Sequence, residues 1–356
     1  MVAWKNGKNV VVLGAGATRG AEFVDPRGAK ACLPPLNADF FTQLQRVQAL
    51  NRQSDVDAVM RDVIDSFGPN FSLSLEEYFT HIEALLRGGQ LFLTADNTKY
   101  SPAKLRERRA HLLDALSAVL EESVDVTRKA SPAVESPCSY HRALVDALGP
   151  SDTIVSFNYD CLVDHSLRTS VLPIWSARYG YCFPKPSRMD DQSVKVWSGA
   201  ASVKQNDTIR LLKLHGSLNW RQWPDADDEA IRLRERIYKQ NGQKTYEIIP
   251  PEFLKAIERE PFQTLWKRAA SALKSAETIA MVGFSFPPTD QLVEAMFRMA
   301  LEENKRLKRL IIVNPSKHDR DRMRRVCTSV LNRSSTRVVQ FDYFSEFAPH
   351  AARLLA

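Results

Sequence analysis

The sequence predicts an α/β fold built on a parallel sheet, and two observations carry that prediction. Six short apolar runs rich in Val, Ile and Leu recur along the chain, each stopping at a turn-forming residue, as strands buried on both faces do. Helical stretches lie between them, so consecutive strands need crossover connections and pair in parallel.

In order, the runs are Asn9–Leu13, Thr153–Phe157, Ile209–Leu214, Thr278–Val282, Arg309–Val313 and Thr336–Phe341. About 140 residues separate the first from the second, far more than one crossover helix occupies. That interval reads as helix. Leu75–Leu86 and Lys104–Val126 carry apolar residues at helical spacing, the latter with Leu105, Leu112, Leu116, Val119 and Leu120 on roughly one side. Pro132 and Pro137 interrupt the region before a short helix, His141–Leu148. The expected organisation is a sheet domain from 1–37 and 151–356, with an inserted helical subdomain at 38–150. Two further insertions are expected: an irregular one at about 165–205, and a charged one at about 219–262 with a helix near Ala230–Lys239. No repeat and no low-complexity tract is evident.

The chain has 356 residues, 44% hydrophobic and 26% charged, ordinary for a globular protein large enough to bury a core. No run of about 18 apolar residues suggests a membrane span, and the first residues lack a signal-peptide layout, so a cytoplasmic protein is expected. Cys32, Cys138, Cys161, Cys182 and Cys327 are scattered, odd in number and never spaced C-x-x-C. That argues against a disulfide framework and a four-cysteine zinc site, and suits a reducing compartment. The net charge of +7 is concentrated in Lys305–Arg309 and Lys317–Arg325. Without interleaved aromatics to stack bases, this basic stretch reads as a solvated helix face before a nucleic-acid surface.

Five strand ends carry polar or turn residues. After the first comes Gly14-Ala15-Gly16-Ala17-Thr18-Arg19-Gly20. Glycines there let backbone N–H groups approach a pyrophosphate, and Arg19 suits a phosphate. The spacing is not G-x-G-x-x-G, and a tight turn without a ligand is the other reading. After the second strand, Asn158 has the donor and acceptor to hold a ribose hydroxyl and a water. Asp160, two residues on, suits a carboxamide or a developing positive charge. The alternative is an Asx turn capping the next helix. The third run ends in His215-Gly216, where an imidazole can act as general base near neutral pH. Gly283 and Ser285 follow the fourth strand and Asn314 the fifth, as phosphate or ribose contacts or as plain turns. Ligands of open α/β sheets bind at this rim, so the combination points to a dinucleotide on a Rossmann-like sheet.

This ordered set resembles the sirtuin family over roughly 8–20, 153–160, 210–217, 278–290 and 309–315. Gly14-Ala15-Gly16-Ala-Thr18 resembles its Gly-Ala-Gly-x-Ser phosphate loop, and Asn158-Tyr-Asp160 its Asn-x-Asp motif, with Ser156-Phe157 in place of Thr-Gln. His215-Gly216 resembles its catalytic His-Gly, Gly283-Phe-Ser285 its Gly-x-Ser, and Asn314 its ribose-contacting asparagine. Pro34–Phe40 lies where the family's mobile cofactor loop lies. Zinc-bearing sirtuin deacylases carry two C-x-x-C pairs soon after the His-Gly; here Ser-Leu-Asn-Trp-Arg-Gln-Trp follows, with no zinc ribbon. The resemblance is therefore to the zinc-free sirtuin-like domain of prokaryotic anti-phage systems. It implies NAD as substrate, no metal, and hydrolysis to nicotinamide and ADP-ribose. Asn158, Asp160 and His215 would be the catalytic residues. Gly14, Ala15, Gly16, Thr18, Arg19, Gly283, Ser285 and Asn314 would bind NAD. It further implies a homo-oligomer controlled by a separate trigger, such as a HerA-type ATPase. An NAD-dependent deacylase and an NAD or ADP-ribose sensor without turnover are the competing functions.

Overall fold

The structure is a computed structural model, described here for residues 7–22, 32–91, 98–124, 138–170, 175–185, 187–189, 204–222, 231–234, 245–251, 257–288, 290–333 and 335–356. Its strands are β1 (Asn9–Leu13), β2 (Thr153–Ser156), β3 (Arg188–Met189), β4 (Arg210–Lys213), β5 (Gly216–Gln222), β6 (Arg232–Leu233), β7 (Thr245–Ile248), β8 (Thr278–Val282), β9 (Arg309–Val313) and β10 (Arg337–Phe341). The six apolar runs all form strands of one sheet, in the order β10-β9-β8-β1-β2-β4, every neighbouring pair parallel. The chain steps outward from β1 through β2 to β4. It then returns beside β1 at β8 and steps the other way to β10. Strand order therefore reverses between β1 and β8, the Rossmann arrangement, and ligands of open α/β sheets ordinarily bind beyond the carboxyl ends at such a point.

The central strands are apolar because helices cover both faces. β1, β2, β4 and β8 are buried at every position, and their Val, Ile and Leu side chains form one core with Leu144, Val145, Trp266, Phe297 and Phe347 from the flanking helices. The helices Gln53–Phe67 and Leu75–Gly88 pack along Pro102–Val124 around a second core, which also takes in Leu218, Tyr246 and Ile248 of β5 and β7. Helix Leu75–Gly88 starts at a capping box: Glu77 N donates to Ser74 Oγ (3.2 Å) and Ser74 N to Glu77 Oε2 (2.7 Å). Helix Pro102–Val124 departs from the one-sided stripe expected of it. Every residue from Leu112 to Leu120 is buried, because neighbours enclose that half on all sides.

The helix expected near Ala230–Lys239 is corrected where the structure describes it. Arg232–Leu233 is extended and pairs antiparallel with Trp220 and Arg221 of β5, in a small sheet ordered β3-β6-β5-β7. The cause is burial: Ile231 and Leu233 alternate inward to join Trp220 in the core. Residues 235–239, like Pro132 and Pro137, lie outside the described residues. No helix among the described residues is long and apolar enough to cross a membrane.

At the opposite edge of the sheet from that point, Asp152 ties the amino ends of β1 and β2 together. Its Oδ1 accepts from Lys8 N and Asn9 N (both 3.0 Å), and its Oδ2 from Asn9 Nδ2 (2.8 Å) and Gly149 N (2.9 Å). Asp152→Ala strands several buried donors, so chemical denaturation should show a loss of about 3 kcal/mol. Turnover per folded molecule should stay unchanged, because the rim is at the other end of the strands.

Candidate functional site

The parallel ladder runs one residue past the strands. Phe157 N donates to Leu13 O (3.0 Å), Leu214 N to Ser156 O (2.9 Å), Gly14 N to Val282 O (3.1 Å), Gly283 N to Val313 O (2.9 Å) and Asn314 N to Phe341 O (3.1 Å). The five turns singled out in the sequence thus leave one rim in register.

At the point of reversal two bare backbones meet. Gly16 N donates to Gly283 O at 2.9 Å. A Cβ on Gly14 would stand 2.6 Å from Gly283 O, and one on Gly16 2.8 Å from Gly283 Cα. Gly283 has φ +61°, and a Cβ there would stand 2.1 Å from Ala17 N. In this structure the glycines serve the approach of two loops, and the N–H groups of Gly14 and Gly16 are spent on backbone carbonyls. Ala15 lies in the short helix Ala15–Arg19 that follows.

Across from this knot, Asn158 Nδ2 donates to Gly14 O (3.0 Å) and Thr18 Oγ1 (3.1 Å). Thr18 Oγ1 donates to Asp160 Oδ2 at 2.7 Å. Asp160 Oδ1 accepts from Leu162 N at 2.9 Å, which is the Asx turn weighed as the alternative for this residue, capping helix Leu162–Thr169. One carboxylate oxygen of Asp160 thus bonds the backbone two residues on, and the other accepts from Thr18. Asn158 is 8% exposed, and its Oδ1 accepts no hydrogen bond among the described residues.

His215 stands beside this turn. Its ring meets Phe157 edge-on (centroids 5.1 Å) and lies 6.2 Å from the Tyr159 ring, so the residues flanking Asn158 seat the imidazole. Phe157 stacks on Phe284 at 4.4 Å, joining the β2 and β8 turns over Gly14. His215 Nε2 is 3.8 Å from Asp290 Oδ1, with both side chains almost wholly buried. Asp290 follows the fourth strand, seven residues after Gly283, and carries no signal of its own in the sequence. Its position before helix Gln291–Glu303 reads as a cap, and only the fold brings it to a histidine some 75 residues earlier in the chain.

The remaining site residues are distributed as follows. Ser285 is half-buried, and its hydroxyl makes no hydrogen bond among the described residues. Asn314 Nδ2 donates to Phe284 O (3.2 Å), and Asn314 Oδ1 accepts from Ser316 N (2.9 Å), so its amide joins the β8 and β9 turns. Arg19 pairs with Asp39, which also accepts from Leu36 N (2.7 Å) and Gln43 Nε2 (3.1 Å). The Pro34–Phe40 segment is thereby held to the glycine loop, while Asn37 reaches Glu76 of the helical region through two 2.9 Å bonds. Arg19 Nε is buried with no hydrogen-bond partner among the described residues. All five cysteines are buried and none forms a disulfide, and residues 217–222 after His215-Gly216 lie in strand β5.

β5 and β7 pair so that Ser217 faces Glu247. Burial pushes the Glu247 carboxyl up to about 6, against the opposing pull of Arg259. The folded protein then holds this proton to higher pH than the unfolded chain does. Stability contributed by Glu247 is present in acid and is lost as pH rises from about 4.5 to about 6, a loss of about 2 kcal/mol. Urea denaturation across that window should show the slope in the wild type and a flatter curve in Glu247→Gln. Gly283→Ala, which combines a left-handed φ with contact to Ala17 N, should destabilise the fold and part the two loops, seen as faster amide exchange at Gly16 and Ala17.

No curated protein matches this chain. Residues 152–338 match the model of the SIR2-like domain, which spans β2 to the start of β10 and so covers His215, Asp290 and the Asn158–Asp160 turn. The match takes in more than half of the sequence, and the chain belongs to the SIR2-like domain family.

Proposed function

We propose that this protein binds NAD across the rim and cleaves its nicotinamide–ribose bond, releasing nicotinamide and ADP-ribose. The observation that supports the reading is that Phe157 and Tyr159, on either side of Asn158, meet the His215 ring at the carboxyl ends of β2 and β4, beside the reversal of strand order. Membership of the SIR2-like family supports NAD as the substrate. The residues fit such a ligand: Asn158 Oδ1, the Ser285 hydroxyl and the buried Arg19 Nε are polar groups at the rim without partners among the described residues.

Cleavage proceeds with oxocarbenium character at the ribose, as in glycoside cleavage generally. Asp160 would hold the carboxamide and favour the positively charged sugar electrostatically. Asn158 holds a ribose hydroxyl and a water through its open oxygen. His215 removes the proton, and Asp290 orients the imidazole and stabilises the imidazolium it becomes. Gly14, Ala15, Gly16, Thr18, Gly283 and Asn314 shape the cleft for the pyrophosphate and the adenosine half, partly by holding the loops together. The proposal extends to a cytoplasmic homo-oligomer acting in anti-phage defence and switched on by a separate partner such as a HerA-type ATPase. That part rests on the resemblance to zinc-free sirtuin-like domains.

His215→Ala and Asn158→Ala should each slow nicotinamide release by about 10²–10⁴-fold in purified, activated protein. Full activity in both removes the assignment. Asp290→Asn should lower kcat, because the carboxylate 3.8 Å from His215 Nε2 would no longer be there to steady the imidazolium. The product separates the competing functions. ADP-ribose marks hydrolysis, O-acyl-ADP-ribose from an acyl-lysine peptide marks deacylation, and NAD binding without nicotinamide release marks a sensor.

A further inference from the structure

Beneath the Asn158–Asp160 turn lies a lysine with no exposure at all. Lys213 ends β4, between buried Leu212 and Leu214, in a run otherwise read as apolar strand. Its Nζ donates to the main-chain oxygen of Asp160 and, at 3.0 Å, to Asp164 Oδ2. Both side chains of the Lys213–Asp164 pair are completely buried, and Tyr181 donates its hydroxyl to the other Asp164 oxygen. Burial alone would lower the lysine's affinity for its proton, but Asp164, with Cys161 and Asp160, outweighs it and holds the ammonium charged.

Such a pair is a poor way to gain stability. Apolar side chains of like volume generally fill a core as well or better, since two buried charges must first lose their water. What an apolar residue would not provide is the bond to Asp160 O. That bond ties the turn carrying Asn158 and Asp160 to the end of β4, two residues before His215. The turn is already held from the β1 side by Asn158 and Thr18. Lys213 supplies the hold from the β4 side.

We propose that Lys213 is a positioning residue, setting the Asn158–Asp160 turn at a defined distance from His215. Its catalytic part rests on the NAD-cleavage reading; its structural part does not. Lys213→Met alone leaves Asp164 buried and unpaired, so that variant is liable to misfold. The informative protein is Lys213→Met with Asp164→Asn, which removes both charges, keeps an acceptor for Tyr181 and loses the bond to Asp160 O.

The double variant should melt within a few degrees of the wild type. Its amide exchange over residues 157–162 should be faster in ligand-free protein. Its kcat for nicotinamide release should fall about 10- to 100-fold, with a small change in KM, as expected when reacting groups are misplaced rather than removed. Unchanged exchange in the double variant overturns the proposal, as does unchanged kcat against an active wild type. Lys213 would then serve stability alone. If the wild type, tested with its activating partner, releases no nicotinamide, the cleavage reading fails, and the exchange measurement alone decides whether Lys213 pins the turn.

Discussion

The rim depends on one close contact of backbone with backbone. Gly14 and Gly16 after β1 lie against Gly283 after β8 at a separation that admits no side chain on any of the three. These are the two strands between which the sheet reverses direction, where loops of an open α/β sheet ordinarily diverge and leave a crevice. Here the two loops are joined by the Gly16–Gly283 hydrogen bond, and the rings of Phe157 and Phe284 stack. The other groups at the rim take their places from that junction: Asn158 reaches the Gly14 carbonyl, and Asn314 reaches that of Phe284.

Polar groups of the site are largely buried, and burial makes their arrangement strict. A buried donor or acceptor left without a partner costs more than a made bond gains, so each side chain has little freedom to move. Asp160 shows the consequence. Its carboxylate and its main-chain oxygen together accept from Thr18, Leu162 and Lys213, which come from three different elements. The same holds on the imidazole side, where Phe157, Tyr159 and Asp290 close around His215.

Among the described residues, two of the places where the helical region meets this architecture lie next to the site. Asn37 and Glu76 exchange two hydrogen bonds next to the segment that pairs Asp39 with Arg19. Tyr246 and Ile248 of β7, the strand paired with Gly216 and Ser217, join the helical core. A displacement of the helices would therefore be felt both at the glycine loop and at the strand leaving His215.

Local pattern by itself determined the sheet. Six apolar runs became six parallel strands, because central strands covered on both faces are largely apolar, and that leaves a mark in the sequence. The helices Leu75–Gly88, Pro102–Val124 and Ser139–Asp146 were legible for the same reason, since helical spacing is written in the chain. Helix Gln53–Phe67 went unmarked, and the charged stretch around Arg232 was misread as helix, because its strand forms only through pairing with β5. In the site, the residue types at the strand ends could be read, but not their employment. That the glycines face each other, that Asp290 stands by His215, and that Lys213 is buried under Asp160 are decided by contacts between residues far apart in sequence. No local periodicity encodes such contacts; they exist only once the sheet has brought its strand ends together.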